Sequence, residues 1–167
     1  MTQVRIRPET PADIDAIRDL TDTAFAPMAF SDGTEGACIA RLRADGDLAL
    51  SLVPETTPGQ LVGHVAFSPA SAGDDDEGWF GLGPVAVLPD RQRGGIGSAL
   101  IRAGLDRSQA SGARGCVLIG SPAYYRRFGF AADGRVSYRA IPTRNVMWLA
   151  FGDHRPAGEM KFSPGLE

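Results

Sequence analysis

The apolar positions of this chain change period several times, and each change predicts an element. Near the start, Val4 and Ile6 alternate with Arg5 and Arg7, the period-2 pattern of a half-buried strand. From Ile14 the spacing becomes helical: Ile14, Ile17 and Leu20 fall on one face. The residues Thr10-Pro11-Ala12-Asp13 form a helix start, with Thr10 accepting from free amides, Pro11 at the first helical position and Asp13 completing a capping box. A second helix is expected from about Thr34 to Ala44, with Ile39 and Leu42 inward and Gly46 as its stop. The runs LALSLV (48–53) and QLVGHVAFSP (60–69) then read as a hairpin around Thr57-Pro58-Gly59.

A third apolar run, WFGLGPVAVLP (79–89), carries Gly81, Gly83 and Pro84. Glycine and proline inside a strand indicate a bulge, and Pro84 has no amide hydrogen to give to a ladder. A helix is expected from about Gly95 to Ser111, with Ile96, Leu100, Ala103 and Ala110 inward and Gly112 ending it. CVLIG (116–120) reads as a short buried strand. SPAYYRRFGF (121–130) opens as a short helix that breaks at Gly129. Two more strands are expected near Val136 to Arg139 and Val146 to Phe151. There is no repeat and no linker, so the pattern describes one α/β domain over residues 1–167 with mixed strands and a C-terminal tail after about residue 151.

Composition narrows the partners. The 167 residues are 43% hydrophobic and 22% charged, ordinary for a globular domain with a core. The net charge of −3 gives no global electrostatic case for nucleic acid or an anionic membrane. No apolar run is long enough to span a bilayer and no signal peptide is evident, so a cytoplasmic protein is expected. The acidic run Asp74-Asp75-Asp76-Glu77 reads as a solvated loop; it lacks the ligand spacing of a calcium loop, and no metal is expected. Cys38 and Cys116 read as small buried apolar side chains.

The stretch that carries chemistry is DRQRGGIGSAL (90–100), a glycine-rich turn leading into a helix. A helix start presents unpaired amides and partial positive charge, and glycines let a phosphate reach them. Gln92, Arg93, Gly94, Gly95, Ile96, Gly97 and Ser98 occupy that turn, and Arg91 and Arg93 add fixed charge. The lysine of a phosphate-binding nucleotidase loop is absent after Gly97. The turn also comes mid-chain, rather than after a first strand as a dinucleotide fold requires.

QRGGIG resembles the Gln/Arg-x-x-Gly-x-Gly/Ala signature of the GCN5-related N-acetyltransferase (GNAT) superfamily, with Gln92, Gly95 and Gly97 at its defined positions. The order of elements is similar too. The segments SLV (51–53), GHVAFSP (63–69), LGPVAVLP (82–89) and YYRRFGF (124–130) look like one bacterial subgroup of N-acetyltransferases. The resemblance covers roughly residues 3 to 151 and implies a partly splayed mixed sheet of about seven strands flanked by about four helices.

It also implies an acetyl-CoA-dependent N-acetyltransferase that moves an acetyl group to a primary amine by direct attack in a ternary complex. The coenzyme pyrophosphate would lie on amides from Arg93 to Ser98. The pantetheine arm would pair with the strand Val85-Ala86-Val87, splayed at Gly83-Pro84, and the Val85 amide would polarise the carbonyl. Tyr125 is the expected general acid, and its phenol is protonated at neutral pH. The glutamate that many relatives carry on the broken strand falls at Gly81, so His64 on the neighbouring strand and a water chain are the candidate routes for the amine proton. Many relatives also carry an asparagine near Gly120-Ser121-Pro122, and Ser121 is the candidate replacement. Phe25, Phe30, Ser121 and Tyr124 are expected to line the acceptor site, for a small-molecule amine or a protein amino group, and a homodimer is conceivable. Absence of the carboxylate motivates one alternative, a non-catalytic acyl-CoA-binding sensor or regulatory module; transfer of a longer acyl group is a third reading.

Overall fold

The computed structural model describes residues 4–28 and 31–167. Strand β1 (Arg5–Pro8) leads through a single 3-10 turn into helix α1 (Ile14–Phe25) and then helix α2 (Glu35–Asp45). Strands β2 (Leu50–Thr57), β3 (Gln60–Leu61), β4 (Gly63–Ala72) and β5 (Asp75–Val87) follow. Helix α3 (Ile96–Ala110), strand β6 (Gly115–Ile119) and the short helix α4 (Pro122–Tyr125) come next. Strands β7 (Val136–Ser137), β8 (Val146–Ala150), β9 (Gly158–Glu159) and β10 (Lys161–Phe162) complete the described chain. The large sheet runs β1-β2-β4-β5-β6-β8, with β3 added to β2 and β10 to β4; β7 and β9 form a small parallel pair. Within the large sheet β5 and β6 pair in parallel and the other pairings are antiparallel, so the architecture is mixed α/β with helices on both faces.

Strand alternation sorts the core. Leu52, Val65 and Phe67 face α3 and bury against its Leu100 and Ile101. Val53 and Ala86 face the other way and bury against Ile17 and Leu20 of α1 and Ile39 of α2. The expected cap is present at α1, where the Thr10 amide donates to Asp13 Oδ2 at 2.7 Å. Gly46 ends α2 with φ 76°, a left-handed conformation that glycine adopts without strain.

The sheet opens at one place. β5 pairs with β6 only through Trp79, Phe80 and Gly81, opposite Gly115, Cys116 and Val117. On its other edge β5 continues along β4 to Val87, but its register shifts between the Val65–Val85 and Phe67–Leu82 pairs. The shift is a bulge at Gly83-Pro84, whose peptide bond is cis. Beyond it, β5 and β6 diverge.

Several expectations change. Ala110 is exposed; the buried stripe of α3 is Leu100, Ile101, Gly104, Leu105 and Ser108, a run from which Ala110 has rotated away. The acidic run is no free loop. Asp75 already belongs to β5 and accepts a hydrogen bond from Arg114, while Asp74 Oδ1 accepts from the Ala157 amide at 3.1 Å. Cys116 is buried as expected, but Cys38 is half-buried beside the Arg41 guanidinium at 3.2 Å. The segment after residue 151 returns to the sheet: β10 pairs with β4, and the Ser163 hydroxyl donates to the Pro69 carbonyl at 2.6 Å. Its Phe162 lies on Gly81, where an added Cβ would come within 2.7 Å of the ring. Among the described residues no helix is long and apolar enough to cross a membrane.

Candidate active site

The open end of β5 runs through one 3-10 turn, Pro89–Arg91, into the glycine turn. Arg93 (φ 66°) and Gly95 (φ 85°) are both left-handed, which turns the chain sharply enough for α3 to begin at Ile96. The first intrahelical bond of α3 runs from the Ala99 amide to the Gly95 carbonyl at 3.0 Å. The amides of Gly95, Ile96, Gly97 and Ser98 precede it and have no partner inside the helix, at its positive end.

The strand beside this turn is presented edge-on. The Leu88 amide donates to the Val62 carbonyl, so by antiparallel alternation Ala86 bonds to β4, while Val85 and Val87 point their peptide groups away from it, toward the split. The side chain of Gln92 donates to the Val87 carbonyl at 3.0 Å, which ties the glycine turn to the strand. These parts enclose a groove of about 660 Å³. Val85 and Val87 form one wall, residues from Arg91 to Ser98 other than Gly94 another, and Tyr124, Tyr125 and Arg127 of the α4 region the third. No acidic side chain is among its lining residues, and Arg91, Arg93 and Arg127 are cationic, so the groove suits a polyanion.

The α4 wall is an aromatic cluster. Ser121 caps α4, and its carbonyl accepts from the amides of both Tyr124 and Tyr125, at 3.1 and 2.9 Å. The Tyr125 ring meets Tyr124 edge-to-face at 5.0 Å and Phe130 at 6.0 Å, with Phe128 tilted beside it at 6.1 Å. Burial, and secondarily Tyr124, pushes the Tyr125 phenol up to about 12. The Tyr124 hydroxyl lies 3.4 Å from Ser98 Oγ, and the Arg127 guanidinium stacks over its ring at 4.5 Å.

Of the residues singled out in the sequence, the groove brings together Val85, Val87, Gln92, Arg93, Gly95, Ile96, Gly97, Ser98, Tyr124 and Tyr125. It does not bring in the others. The Ala86 side chain is buried against α1 and α2, on the opposite face. Gly94 is exposed outside the lining, and Ser121 is an exposed cap. Phe25 is the last residue of α1 and packs, half-buried, against the core between α1, α2 and the sheet, and Phe30 lies outside the described residues. His64 is wholly buried on the α1–α2 face and its Nε2 is 2.7 Å from Ser51 Oγ. Ser51 Oγ donates to Glu9, so Nε2 carries the hydrogen and donates to Ser51; Arg43 pairs with Glu9 at 2.9 Å. Burial, and then the charge of Arg43, pushes the His64 imidazole down to about 3. His154, in the tail, sits with Nδ1 3.8 Å from the Asp75 carboxylate. The reading of the sequence missed Arg127, whose signal was its place three residues after Tyr124, and it had no signal for Phe162 over Gly81.

A mixed sheet split beside an open helix start, with a tyrosine-bearing turn across the gap, is the arrangement of an acyl-CoA-dependent transferase fold. The model of the acetyltransferase (GNAT) family matches residues 14–130, and the chain belongs to that family. It is 38% identical over 125 residues to the uncharacterised N-acetyltransferase YhbS of Escherichia coli K12, covering 75% of this chain and 72% of that protein. Among solved structures, a GNAT family acetyltransferase from Brucella melitensis in complex with acetyl-CoA aligns over 100% of both chains, with 45% identity and a TM-score of 0.87. The Escherichia coli YhbS structure in complex with CoA aligns over 99% of this chain and 93% of that one, with 28% identity and a TM-score of 0.89. The protein is an N-acetyltransferase.

Proposed function

We propose that the groove binds acetyl-CoA and that the protein moves the acetyl group to a primary amine, of a small molecule or of a protein, by direct attack in a ternary complex. One observation carries the reading: the free amides of the α3 start, the outward peptide groups of Val85 and Val87, and the Tyr125 phenol line a single groove. The complexes of the two similar structures with acetyl-CoA and CoA support it.

When bound, the coenzyme supplies an activated acyl thioester. The amides from Gly95 to Ser98, with Arg91 and Arg93 beside them, hold its phosphates. Val85 and Val87 pair with the amide-bearing arm as a neighbouring strand would. The Val85 N–H polarises the acyl carbonyl where negative charge develops. Tyr125, protonated throughout the physiological range, gives its proton to the departing sulfur as the C–S bond breaks and the N–C bond forms. Gly81, under Phe162, offers no carboxylate for the amine proton, which leaves through solvent.

The test is thiol release from acetyl-CoA with a panel of polyamines, amino acids, aminoglycosides and peptides. At least one amine is expected to turn over, and acetyl-CoA is expected to outcompete longer acyl-CoAs in calorimetry. Tyr125→Phe should lower kcat by about 10²-fold or more with coenzyme affinity little changed. Intact coenzyme binding without turnover on any acceptor counts against the reading.

A further inference from the structure

Gly120 directly follows β6 and lies against the Tyr125 ring. A Cβ built on it would lie 2.5 Å from Cε2 and 2.8 Å from Cδ2 of that ring, and 3.1 Å from Leu118 Cδ1. Its φ is outside the left-handed region, so the backbone there would accept any residue. What excludes a side chain is the ring foremost, with the tip of Leu118 a lesser obstacle. The ring has little room to yield, because Tyr124, Phe128 and Phe130 pack against it.

Gly120 is itself held at two points. Its amide donates to the Asn145 carbonyl at 3.0 Å, and its carbonyl accepts from Asn145 Nδ2, also at 3.0 Å. Asn145 closes the 3-10 turn Thr143–Asn145 just before β8, the strand that pairs with β6. The backbone pair extends the β6–β8 ladder past its last register pair, Ile119–Val146, and the side-chain amide adds a second bond that only this residue's side chain supplies there.

We infer that Gly120 and Asn145 are positioning residues that set where the Tyr125 phenol stands in the groove: the glycine provides a flat seat for the ring, and the asparagine fixes the seat to the sheet. The inference rests on the reading of Tyr125 as the proton donor. A roughly 1 Å displacement of a reacting group can cost about 10²-fold in rate, so a seat of this kind acts on turnover more than on coenzyme binding.

Two measurements test it. The first needs no acceptor: aromatic NMR of tyrosine-labelled protein at neutral pH, with Tyr125→Phe used to assign the Tyr125 signals. Gly120→Ala and Asn145→Ala should both move the ring-current-shifted Tyr125 resonances, Gly120→Ala more. Unmoved resonances in both variants overturn the seat. The second measures kcat and KM for acetyl-CoA with an amine that turns over, in Gly120→Ala, Asn145→Ala, Tyr125→Phe and the Gly120→Ala/Tyr125→Phe pair. Gly120→Ala should lose about 10²-fold in kcat and Asn145→Ala about 10-fold, with KM within about threefold. The double variant should be no slower than Tyr125→Phe alone, because the phenol that the seat positions is already gone.

A fully active Tyr125→Phe would defeat the proton-donor reading whatever the seat does. A slow Tyr125→Phe beside a Gly120→Ala with wild-type kcat overturns the seat alone, as do losses that add in the double variant. If Gly120→Ala does not fold, Asn145→Ala and its pair with Tyr125→Phe decide by the same criteria.

Discussion

Tyr125 and His64 are both held away from water, and burial moves each pKa away from the charged form: the phenol up to about 12 and the imidazole down to about 3. Their surroundings differ. Tyr125 lines a groove together with free helix amides, outward strand amides and three arginines. His64 is wholly buried and hands its one bonded nitrogen to a chain through Ser51 and Glu9 to Arg43, which ties the sheet to α2. The contrast shows that a perturbed pKa reports desolvation first. A role in chemistry needs, in addition, other groups converging on the same open space.

The largest effect that could break this contrast is expected in the groove. Gly97 has no left-handed φ, and an added Cβ would make only ordinary contacts, with the Tyr124 hydroxyl at 3.4 Å and Val87 Cγ2 at 3.6 Å. Gly97→Asp should therefore fold. A carboxylate in the first turn of α3 favours the helix dipole by roughly 0.3–1 kcal/mol. The same charge repels a bound phosphate, and coenzyme affinity should drop by about 10²-fold or more. Calorimetric titration with coenzyme A, beside thermal denaturation, separates the two. Unchanged affinity would remove the anion from the α3 start and leave the turn a plain connection between strand and helix.

The groove was legible in the sequence because its parts are local. Gly95, Gly97 and Arg93 announce a sharp turn into a helix, Gly83-Pro84 announces an interrupted strand, and Tyr125 sits in a short run, YYRRFGF, that resembles one of the GNAT superfamily. The surroundings of the first half of β5 were not legible, because they are made by distant segments meeting. Nothing near Gly81 in sequence signals that Phe162 will cover it, and nothing near Asp75 signals Arg114 or His154. His64 shows the limit most plainly. Alternation along GHVAFSP tells which residues share a face, but the helix that covers the face decides whether a histidine there meets substrate or core. Gln92 shows a milder case: its place in the turn was evident, but its bond to the Val87 carbonyl depends on the turn folding back on the strand.

On the closed side, His64→Gln keeps a side chain able to bond Ser51 and removes the titration. The folded-state pKa is depressed, so the folded protein binds fewer protons than the unfolded chain between about pH 6.5 and about 3. The stability tied to neutral His64 is fully present above that window and is lost as pH falls through it. The native protein should lose up to about 1.4 kcal/mol per pH unit there relative to His64→Gln, the slope of one proton. Urea denaturation from pH 7 to pH 4 measures it. At pH 8 the variant's kcat and coenzyme affinity should match the native protein's. A fall in kcat with affinity intact would make His64 the base and erase the difference between the two regions.

The smallest effect is expected at the outer edge of the same closed side. Asp13 accepts from Arg7 at 2.7 and 3.1 Å and from the Thr10 amide at 2.7 Å, and Arg7 also reaches Glu55 at 3.0 Å. Arg7 foremost, helped by the Thr10 amide and opposed by burial, holds the Asp13 carboxyl down to about 2. Asp13→Asn removes the ion pair and weakens the cap, at a cost of about 1–2 kcal/mol near pH 7. A depressed carboxyl pKa contributes stability above the unfolded value of 3.8 and loses it as pH falls toward 2, so the gap between native protein and variant should close over that interval. Coenzyme affinity at pH 7 should stay the same, since the cluster does not line the groove. A constant gap down to pH 2 would mean that the cap and packing, rather than the charge, set the contribution of Asp13, and a change in coenzyme affinity would mean that the two regions are coupled through β1 and the sheet.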